Sequence, residues 1–317
     1  MERCRVNQAT IKYMRDKLTL TIGIPAYNEA ENIRHLLLDL AKQSQNGYIF
    51  NKVIVCSDAS VDETVHVAYS FKKLPVTVIV YSKRQGKAAA LNSIIRKTSS
   101  DALVILDADV ALKNRLFLSK LVAPIAKGEA DLCAAKIDEL HPKNFMEKML
   151  AASMQYKREL FASINNGNNI YTCHGRGRAF SKRLYKVIYF KNSANEDAYS
   201  YLFCIYHGFT YRYISDATVW YGLPATLADH ELQSVRFFQS RELSTAEFGE
   251  KFIREAYALP KLLTLKTLIR FTGKNPYIIP YLILPAYLNI KSQFMKRIHS
   301  AWAVAKSSKI LRRSMTL

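Results

Sequence analysis

A chain of 317 residues with 49% apolar content can bury a sizeable core in one large domain or two modest ones, which sets disorder aside. The formal charge of +20 asks for a polyanionic counterpart: nucleic acid, an anionic membrane surface or a phosphorylated substrate. Cys4, Cys56, Cys133, Cys173 and Cys204 are scattered and free of any Cys-x-x-Cys pair, so neither a disulfide framework nor a zinc spacing is expected, and the thiols read as small buried apolar groups.

Residues 1–17 form a polar, basic N-terminal extension without the apolar stretch of a secretory signal. No run of about 20 apolar residues follows, so a simple membrane-spanning helix is not expected and the chain is placed in the cytoplasm, peripheral to the cytoplasmic face of a membrane. The next stretch alternates short apolar runs with helical patterns. Leu18 to Ile24 reads as a strand, Glu29 to Gln43 as a helix, Val53 to Cys56 as a strand and Val61 to Phe71 as a helix. Val76 to Tyr81, Lys87 to Lys97 and Ala102 to Leu106 continue as strand, helix and strand. Such alternation predicts an α/β fold with a mostly parallel central sheet and helices on both faces. Right-handed crossovers bring the loops after the strands to one edge, where ligands bind. The most unusual loops fall there: Pro25-Ala26-Tyr27-Asn28-Glu29, Ser57 to Asp62, and Asp107-Ala108-Asp109.

From Pro124 to Trp220 the pattern is mixed, with helices read at Asn144 to Ile164 and Asn195 to His207, a polar loop at Asn165 to Asn169, and short strands from Arg212 to Trp220. Leu227 to Phe248 is helical. After Glu255 the sequence has no Asp or Glu, while Lys261, Lys266, Arg270, Lys274, Lys291 and further cations punctuate apolar, Tyr-rich segments broken by proline. That composition suits a membrane interface, and residues 243–317 are read as a basic helical C-terminal region that docks on anionic lipid.

Asp107 and Asp109 flank one small residue directly after an apolar strand, where two carboxylates can share a hard divalent cation such as Mg²⁺ or Mn²⁺ with substrate phosphates. Pro25 shapes the turn after the first strand, and Glu29 stands where it can cap or open the following helix. Asp58 ends the second strand and can accept from a base N–H or a ribose hydroxyl.

Ile24-Pro-Ala-Tyr-Asn-Glu29, Ser57-Asp-Ala-Ser-Val-Asp62, Gly86-Lys-Ala-Ala-Ala-Leu-Asn92 and Leu106-Asp-Ala-Asp109 resemble, in order and spacing, the successive motifs of family 2 glycosyltransferases with the GT-A fold. Asn195-Glu196-Asp197 is similar to the acidic catalytic motif of that family, and Gln233-Ser-Val-Arg236-Phe237 to the Gln-x-x-Arg-Trp signature of the cellulose, chitin and hyaluronan synthase branch. The resemblance implies a catalytic domain over residues 18–242. It further implies that Pro25, Ala26, Tyr27, Glu29 and Asp58 surround uracil and ribose, and that Lys87, Asp107 and Ala108 lie near the donor. Asp109, and less directly Asp107, would hold the metal, Asp197 would be the general base, and Gln233, Arg236 and Phe237 would shape the diphosphate and acceptor end. The implied activity is inverting, metal-dependent transfer from a UDP-sugar to a saccharide or lipid-linked acceptor. A cation and an arginine neutralise the leaving diphosphate, and one carboxylate deprotonates the acceptor hydroxyl. Glu196 beside Asp197 would raise the base's pKa by like-charge repulsion.

The sequence departs from the pattern at Phe237, which replaces the usual Trp and loses an indole N–H, and at Asp58, where many relatives carry two successive acids. The spanning helices of the large synthases are also missing, which favours single addition, or a catalytic subunit resting on the membrane beside a membrane-embedded partner. A polyprenyl-phosphate glycosyltransferase is the nearest alternative, and an inactive sugar-binding scaffold of the same fold the alternative of another class. Retention of Asp58, Asp107, Asp109 and Asp197 argues against the scaffold. Nucleic acid is not expected as a partner, because no helix-turn-helix cue, RNA-binding signature or zinc spacing is present. Tyr81 and Ala88 break a P-loop at Gly86-Lys87. Gly175-Arg176-Gly177-Arg178 lacks the third glycine of a dinucleotide loop and does not follow the first strand. It reads instead either as part of the acceptor region, with Arg176 and Arg178 meeting phosphate, or as a solvated basic loop.

Overall fold

The computed structural model describes residues 17–191, 195–294 and 307. Strands β1 (Leu18–Ala26), β2 (Tyr48–Ser57), β3 (Val76–Val80) and β4 (Ala102–Leu106) alternate with helices α1 (Ala30–Ala41), α2 (Thr64–Ser70) and α3 (Lys87–Arg96). A second half continues with β5 (Val110–Ala111), α4 (Phe117–Ala126), β6 (Leu132–Glu139), α5 (Phe145–Ser163), β7 (Gly177–Ser181) and α6 (Lys182–Tyr185). Then come α7 (Glu196–Tyr206), β8 (Tyr211–Tyr221), α8 (Leu227–Phe248), α9 (Glu250–Ala256), α10 (Lys261–Lys274) and α11 (Ile278–Phe294).

The eight strands form one sheet in the order β3-β2-β1-β4-β7-β6-β8-β5. The β3-β2-β1-β4 half is parallel, as the alternation predicts, and β6 runs parallel to β8. The β4–β7, β7–β6 and β5–β8 pairs are antiparallel, so the sheet is mostly parallel, with β5 reversed at one edge and β7 reversed at its centre. That reversal positions the site. Because β7 runs against β4, Gly177 pairs with Leu106, and the chain entering β7 arrives at the same edge as Asp107.

The central strands are apolar throughout because both faces are covered. β4 is buried at every position, with Ala102, Val104 and Leu106 in one core cluster and Leu103 and Ile105 in the other. This alternation is the two-residue period of a strand between two helical layers. Helix α1 closes one face with Ile33, Leu36, Leu37 and Leu40, the spacing of an amphipathic helix. Helix α3 closes the other, and it lies close over Gly23 of β1. A Cβ on Gly23 would stand 2.4 Å from Cγ2 of Ile94 and 2.7 Å from Cδ1 of Ile105, so only glycine lets α3 settle there.

Several boundaries differ from the sequence expectation. β2 begins at Tyr48 rather than Val53, and β8 is one strand of 11 residues rather than several short ones. α4 is hidden in the sequence by Pro124, which sits in its last turn just before the left-handed Gly128 (φ 71°) ends the element. β6 and β7 escape notice because neither carries a run of β-branched or aromatic residues. Helix α8 continues without a break across residues 242 and 243, where a domain boundary is expected from the sequence. Cys56, Cys133, Cys173 and Cys204 are buried free thiols, and Cys4 lies outside the described residues.

The long helix α5 opens with a capping box, in which Asn144 Oδ1 accepts from the Glu147 backbone N–H and Glu147 reaches back to Asn144. Helices α10 and α11 pack on α5 through Phe271, Ile278 and Ala152. No helix among the described residues is long and apolar enough to cross a membrane.

Candidate active site

The site is built from the second loop outward. Asp58, buried at the end of β2, accepts from the backbone N–H groups of Gln85 (2.7 Å) and Gly86 (3.0 Å). Gly86 has φ 88°, a conformation that favours glycine, and it stands at the N-cap of α3. The Asp58 carboxylate thus fixes the turn that launches Lys87. Arg84 in the same turn lies 3.7 Å over the Tyr27 ring, and its Nε is 3.7 Å from Asp58.

Lys87 points its ammonium into the cleft. Its Nζ is 2.7 Å from Asp107 Oδ1 and 2.5 Å from Glu196 Oε1. Burial works against the ammonium's charge, yet the Asp107 and Glu196 carboxylates outweigh it and hold the lysine pKa above its ordinary value. Glu196 is therefore engaged with Lys87, and the expectation that it repels a proton onto Asp197 has no geometric support. The two side chains leave the start of α7 toward different partners.

Asp197 Oδ2 accepts from the Gly175 backbone N–H at 3.1 Å, and its Oδ1 accepts from the Ala198 N–H at 2.8 Å. Gly175 is the point of convergence. A Cβ built there would stand 3.4 Å from Lys87 Nζ and 3.5 Å from Asp197 Oδ2. The β4 end joins the same place through the Asp107 N–H, which donates to the Arg176 carbonyl.

The expectation that Arg178 meets phosphate is corrected. Its side chain is fully buried, donating from Nη1 to the Glu196 carbonyl (2.8 Å) and the Ser200 hydroxyl (2.5 Å), where it anchors the first turn of α7. β7 residues alternate faces, and Arg178 falls on the inner one. Arg176 stays half-exposed at the edge, its guanidinium 3.8 Å over the Tyr221 ring.

The first loop is tied to the second. Asn28, in the left-handed region (φ 51°), accepts on Oδ1 from the Val61 N–H and donates its own N–H to Ser60. Pro25 and Ala26 are the last residues of β1, in register with Cys56 and Ser57. Glu29 occupies the N-cap position of α1, but its side chain makes no capping bond and instead accepts from Asn32 Nδ2 at 2.8 Å. Glu29 is thus a buried brace within the turn. Gln233, Arg236 and Phe237 fall within α8, and their side chains lie outside the described residues.

Asp107 and Asp109 are half-buried and Ala108 between them is buried. Among the described residues no cluster of three or more His, Cys, Asp or Glu side chains forms a closed metal cage. An oxygen-only pair suits a hard cation that completes its shell with diphosphate oxygens and water.

Beside Asp197 opens a cavity of about 370 Å³, with walls that include Met154, Phe161, His174 and Tyr213. Burial, then Arg176, Arg158 and Lys157, hold the His174 imidazole down to about 3, so it is neutral at physiological pH. Sequence reasoning missed this cavity, the ion pair of Glu196 and the stacking of Arg84 on Tyr27. The aromatic residues of α5 and the Gly-Arg-Gly segment were the only signals it left.

A mostly parallel sheet with a basic side chain and several carboxylates gathered at the C-terminal ends of its central strands defines an α/β enzyme that handles a phosphorylated ligand. Comparison with known proteins narrows the class. The family model described as Glycosyl transferase family 2 matches residues 21–212, and the chain belongs to that family and is a glycosyltransferase. The fold is GT-A. It is similar to a mannosyltransferase from Pyrobaculum calidifontis solved with GDP-Man and Mn²⁺ (TM-score 0.57, 18% identity, covering 90% of this chain and 78% of that one). It is also similar to TarS of S. aureus solved with UDP-GlcNAc (TM-score 0.56, 19% identity, 80% and 71% covered). Among curated proteins, the glycosyltransferase AglE of Haloferax volcanii is 28% identical over 125 residues, 39% of this chain and 40% of that protein. The putative glycosyltransferase CsbB of Bacillus subtilis is 27% identical over 143 residues, 44% and 41%. The matched part spans less than half the length of these curated relatives.

Proposed function

We propose that the protein transfers a sugar from a UDP-sugar to a hydroxyl acceptor, saccharide or lipid-linked, in a single inverting step assisted by Mg²⁺ or Mn²⁺. The observation that carries this reading is the meeting of Lys87, Asp107 and Asp197 around Gly175, from segments far apart in sequence. TarS crystallised with UDP-GlcNAc supports the choice of a uridine donor, and the mannosyltransferase crystallised with Mn²⁺ supports a divalent cation.

Tyr27 with Arg84 above it offers a flat surface for the base, and Pro25, Ala26, Glu29 and Asp58 shape the loops around it. Asp109 and Asp107 would hold the cation, which supplies neutralisation of the diphosphate charge as it develops. Lys87 adds fixed positive charge at the same place. Asp197 takes the proton of the acceptor hydroxyl as its oxygen bonds to the anomeric carbon, and the bond from that carbon to the phosphate oxygen breaks. UDP leaves, and attack opposite to it inverts the centre. Gln233, Arg236 and Phe237 are assigned to the diphosphate and acceptor end, as in the synthase-like branch; a polyprenyl-phosphate acceptor is the second reading.

The C-terminal helices are assigned to an anionic membrane surface on the cytoplasmic side, where a membrane-embedded partner would also be reached. Leu262, Leu265 and Ile269 of α10 are exposed at helical spacing, as are Ile279, Ile283, Tyr287 and Ile290 of α11. Lys261, Lys266, Arg270 and Lys274 accompany them with no acidic residue on either helix.

The test is a donor screen with UDP-Glc, UDP-GlcNAc, UDP-Gal and GDP-Man, scored by released nucleoside diphosphate with and without Mn²⁺. Release from a UDP-sugar that requires the metal, and transfer lost in Asp197→Asn with UDP affinity retained, are expected. Full transfer by Asp197→Asn would overturn the assigned mechanism.

A further inference from the structure

The cavity beside Asp197 has a chemical character that the donor site does not explain. Ile137, Met154, Phe161, Ile170, Tyr213 and Tyr257 give its wall a largely apolar character. Phe161 and Tyr171 stack with ring centroids 4.4 Å apart, and Tyr171 meets Tyr257 edge-on at 6.0 Å, so this wall is preorganised. Its volume of about 370 Å³ lies within the range of small-molecule sites, roughly 300–1,000 Å³.

A saccharide in such a space would ask for several hydrogen-bonding groups, and most of those on the wall are already engaged. Thr172 Oγ1 is bonded to the carbonyls of Gly167 and Asn169 and to the Tyr211 hydroxyl. The Tyr171 hydroxyl donates to the Tyr257 carbonyl. Arg158 is paired with Asp138 and Glu139, and Lys157 Nζ donates to the Tyr281 hydroxyl at 2.7 Å. What remains on the wall is mainly apolar, its other polar atoms belonging to His174, Asn195, Asp197, Tyr213 and Tyr257. A sugar filling the space would press hydroxyls against the apolar part of the wall, where they are desolvated, whereas an alkyl or aryl group there would exchange water for contact.

The cavity wall also connects to the exposed apolar helices. Helix α5 carries Met154, Lys157, Arg158 and Phe161 to the cavity, and it carries Ala152 to the cluster with Phe271 of α10 and Ile278 of α11. Lys157 itself links the cavity to Tyr281 of α11.

We propose that this cavity is the acceptor subsite, and that it takes an alcohol built on an apolar body, alkyl, isoprenoid or aryl, whose nucleophilic oxygen reaches Asp197. The inference rests on the glycosyltransfer reading above and adds to it the class of acceptor. His174, neutral and beside the Asp197 end, is placed to hydrogen-bond the acceptor's polar group without competing for the proton.

The experiment is calorimetric titration of the full chain, saturated with UDP and Mn²⁺, with hexyl β-D-glucoside below its micellar concentration and with methyl β-D-glucoside. The hexyl compound is expected to bind at least about tenfold more tightly, well inside the limit set by five added methylenes if fully buried. Met154→Trp, which fills the cavity from a half-buried position, is expected to abolish that preference, and Phe161→Ala, which removes part of its wall, to reduce it several-fold. A thermal melt of each variant identifies any that fails to fold, and the other then decides. Equal binding of the two glucosides by the UDP-loaded protein overturns this inference and leaves the donor reading standing. A hexyl preference that survives in both folded variants places the apolar contact elsewhere and also overturns it. Failure of UDP itself to bind overturns the donor reading, and this inference with it.

Discussion

Replacing Lys87 by Met keeps most of the length of the side chain and removes its charge. In the native cleft that charge lies 2.7 Å from Asp107 and 2.5 Å from Glu196, whose side chain is only 7% exposed. Removing one member of a buried ionic cluster costs about 3–5 kcal/mol, mainly because the remaining charge is stranded. Asp107, at 23% exposure, keeps some water, which argues for the lower end, about 3 kcal/mol. For a chain of this size that corresponds to a melting temperature lower by roughly 6 °C. The control is Lys182→Met. Its partner Asp101 is 3.9 Å away and both side chains are more than half exposed, so the loss should be within about 1 kcal/mol. The assay is urea denaturation of both variants beside the native protein. Adding Glu196→Gln to Lys87→Met should recover part of the loss, since it removes the stranded charge. The pH dependence also has a definite sign. A raised lysine pKa contributes stability that is fully present below the unfolded value of about 10.4 and is lost only as pH rises through the folded value. The deficit of Lys87→Met should therefore be constant from pH 6 to 9. A loss no larger than that of Lys182→Met, or a deficit that disappears across that range, would refute the account of the cleft.

The imidazole of His174 has the opposite linkage. Its folded pKa is held to about 3, so below about 6.5 the unfolded chain takes up a proton that the folded one refuses, and stability falls as pH drops from about 6.5 toward 3. Melting temperature should decline between pH 7 and pH 5, and His174→Asn should flatten the decline only in part, because His230, held to about 4, acts in the same direction. An unchanged slope in the variant would show that the ring is already hydrated. Asp131 is buried and accepts from Ser181, Arg183 and the Thr210 N–H, so Asp131→Ala should cost about 2 kcal/mol in denaturant titration, far more than Arg183→Ala on the solvent side. Serine at Leu262, Leu265, Ile269 and Ile283, all more than half exposed, should leave the melt unchanged and cut co-sedimentation with phosphatidylglycerol vesicles several-fold. Undiminished pelleting would detach these helices from the membrane assignment.

The first half of the fold was legible because its rules are local. Leu103 and Ile105 alternate with Ala102, Val104 and Leu106 in a strand too apolar to have an exposed face, and α1 shows its apolar stripe at Ile33, Leu36, Leu37 and Leu40. The acidic turn at Asp107 to Asp109 is legible for the same reason, as polar residues directly after a strand with no solvent side. Local rules fail where a residue's role is set by a neighbour distant in sequence. Arg178 looks like a surface cation in a Gly-Arg-Gly-Arg run, yet the reversal of β7 against β4 turns it inward onto the carbonyl of Glu196. Glu196 looks like a repulsive companion of Asp197, yet Lys87, launched 109 positions earlier by the Gly86 turn, claims its carboxylate.

The same contrast between local and distant rules accounts for the faint trace of the cavity. Phe161, Tyr171 and Tyr257 each fit an ordinary packed core, and only the tertiary fold shows that they stack around a space ending at Asp197. The loops proposed to hold the donor are tied by backbone bonds to Asp58 and Asn28, residues whose turn chemistry a sequence displays openly. The other side is made of side chains from α5, α7, β8 and the segment after α9, and nothing in their local sequence requires them to meet. With the acceptor placed in the cavity as proposed, the chemistry of its wall, more than any motif, sets what this enzyme glycosylates.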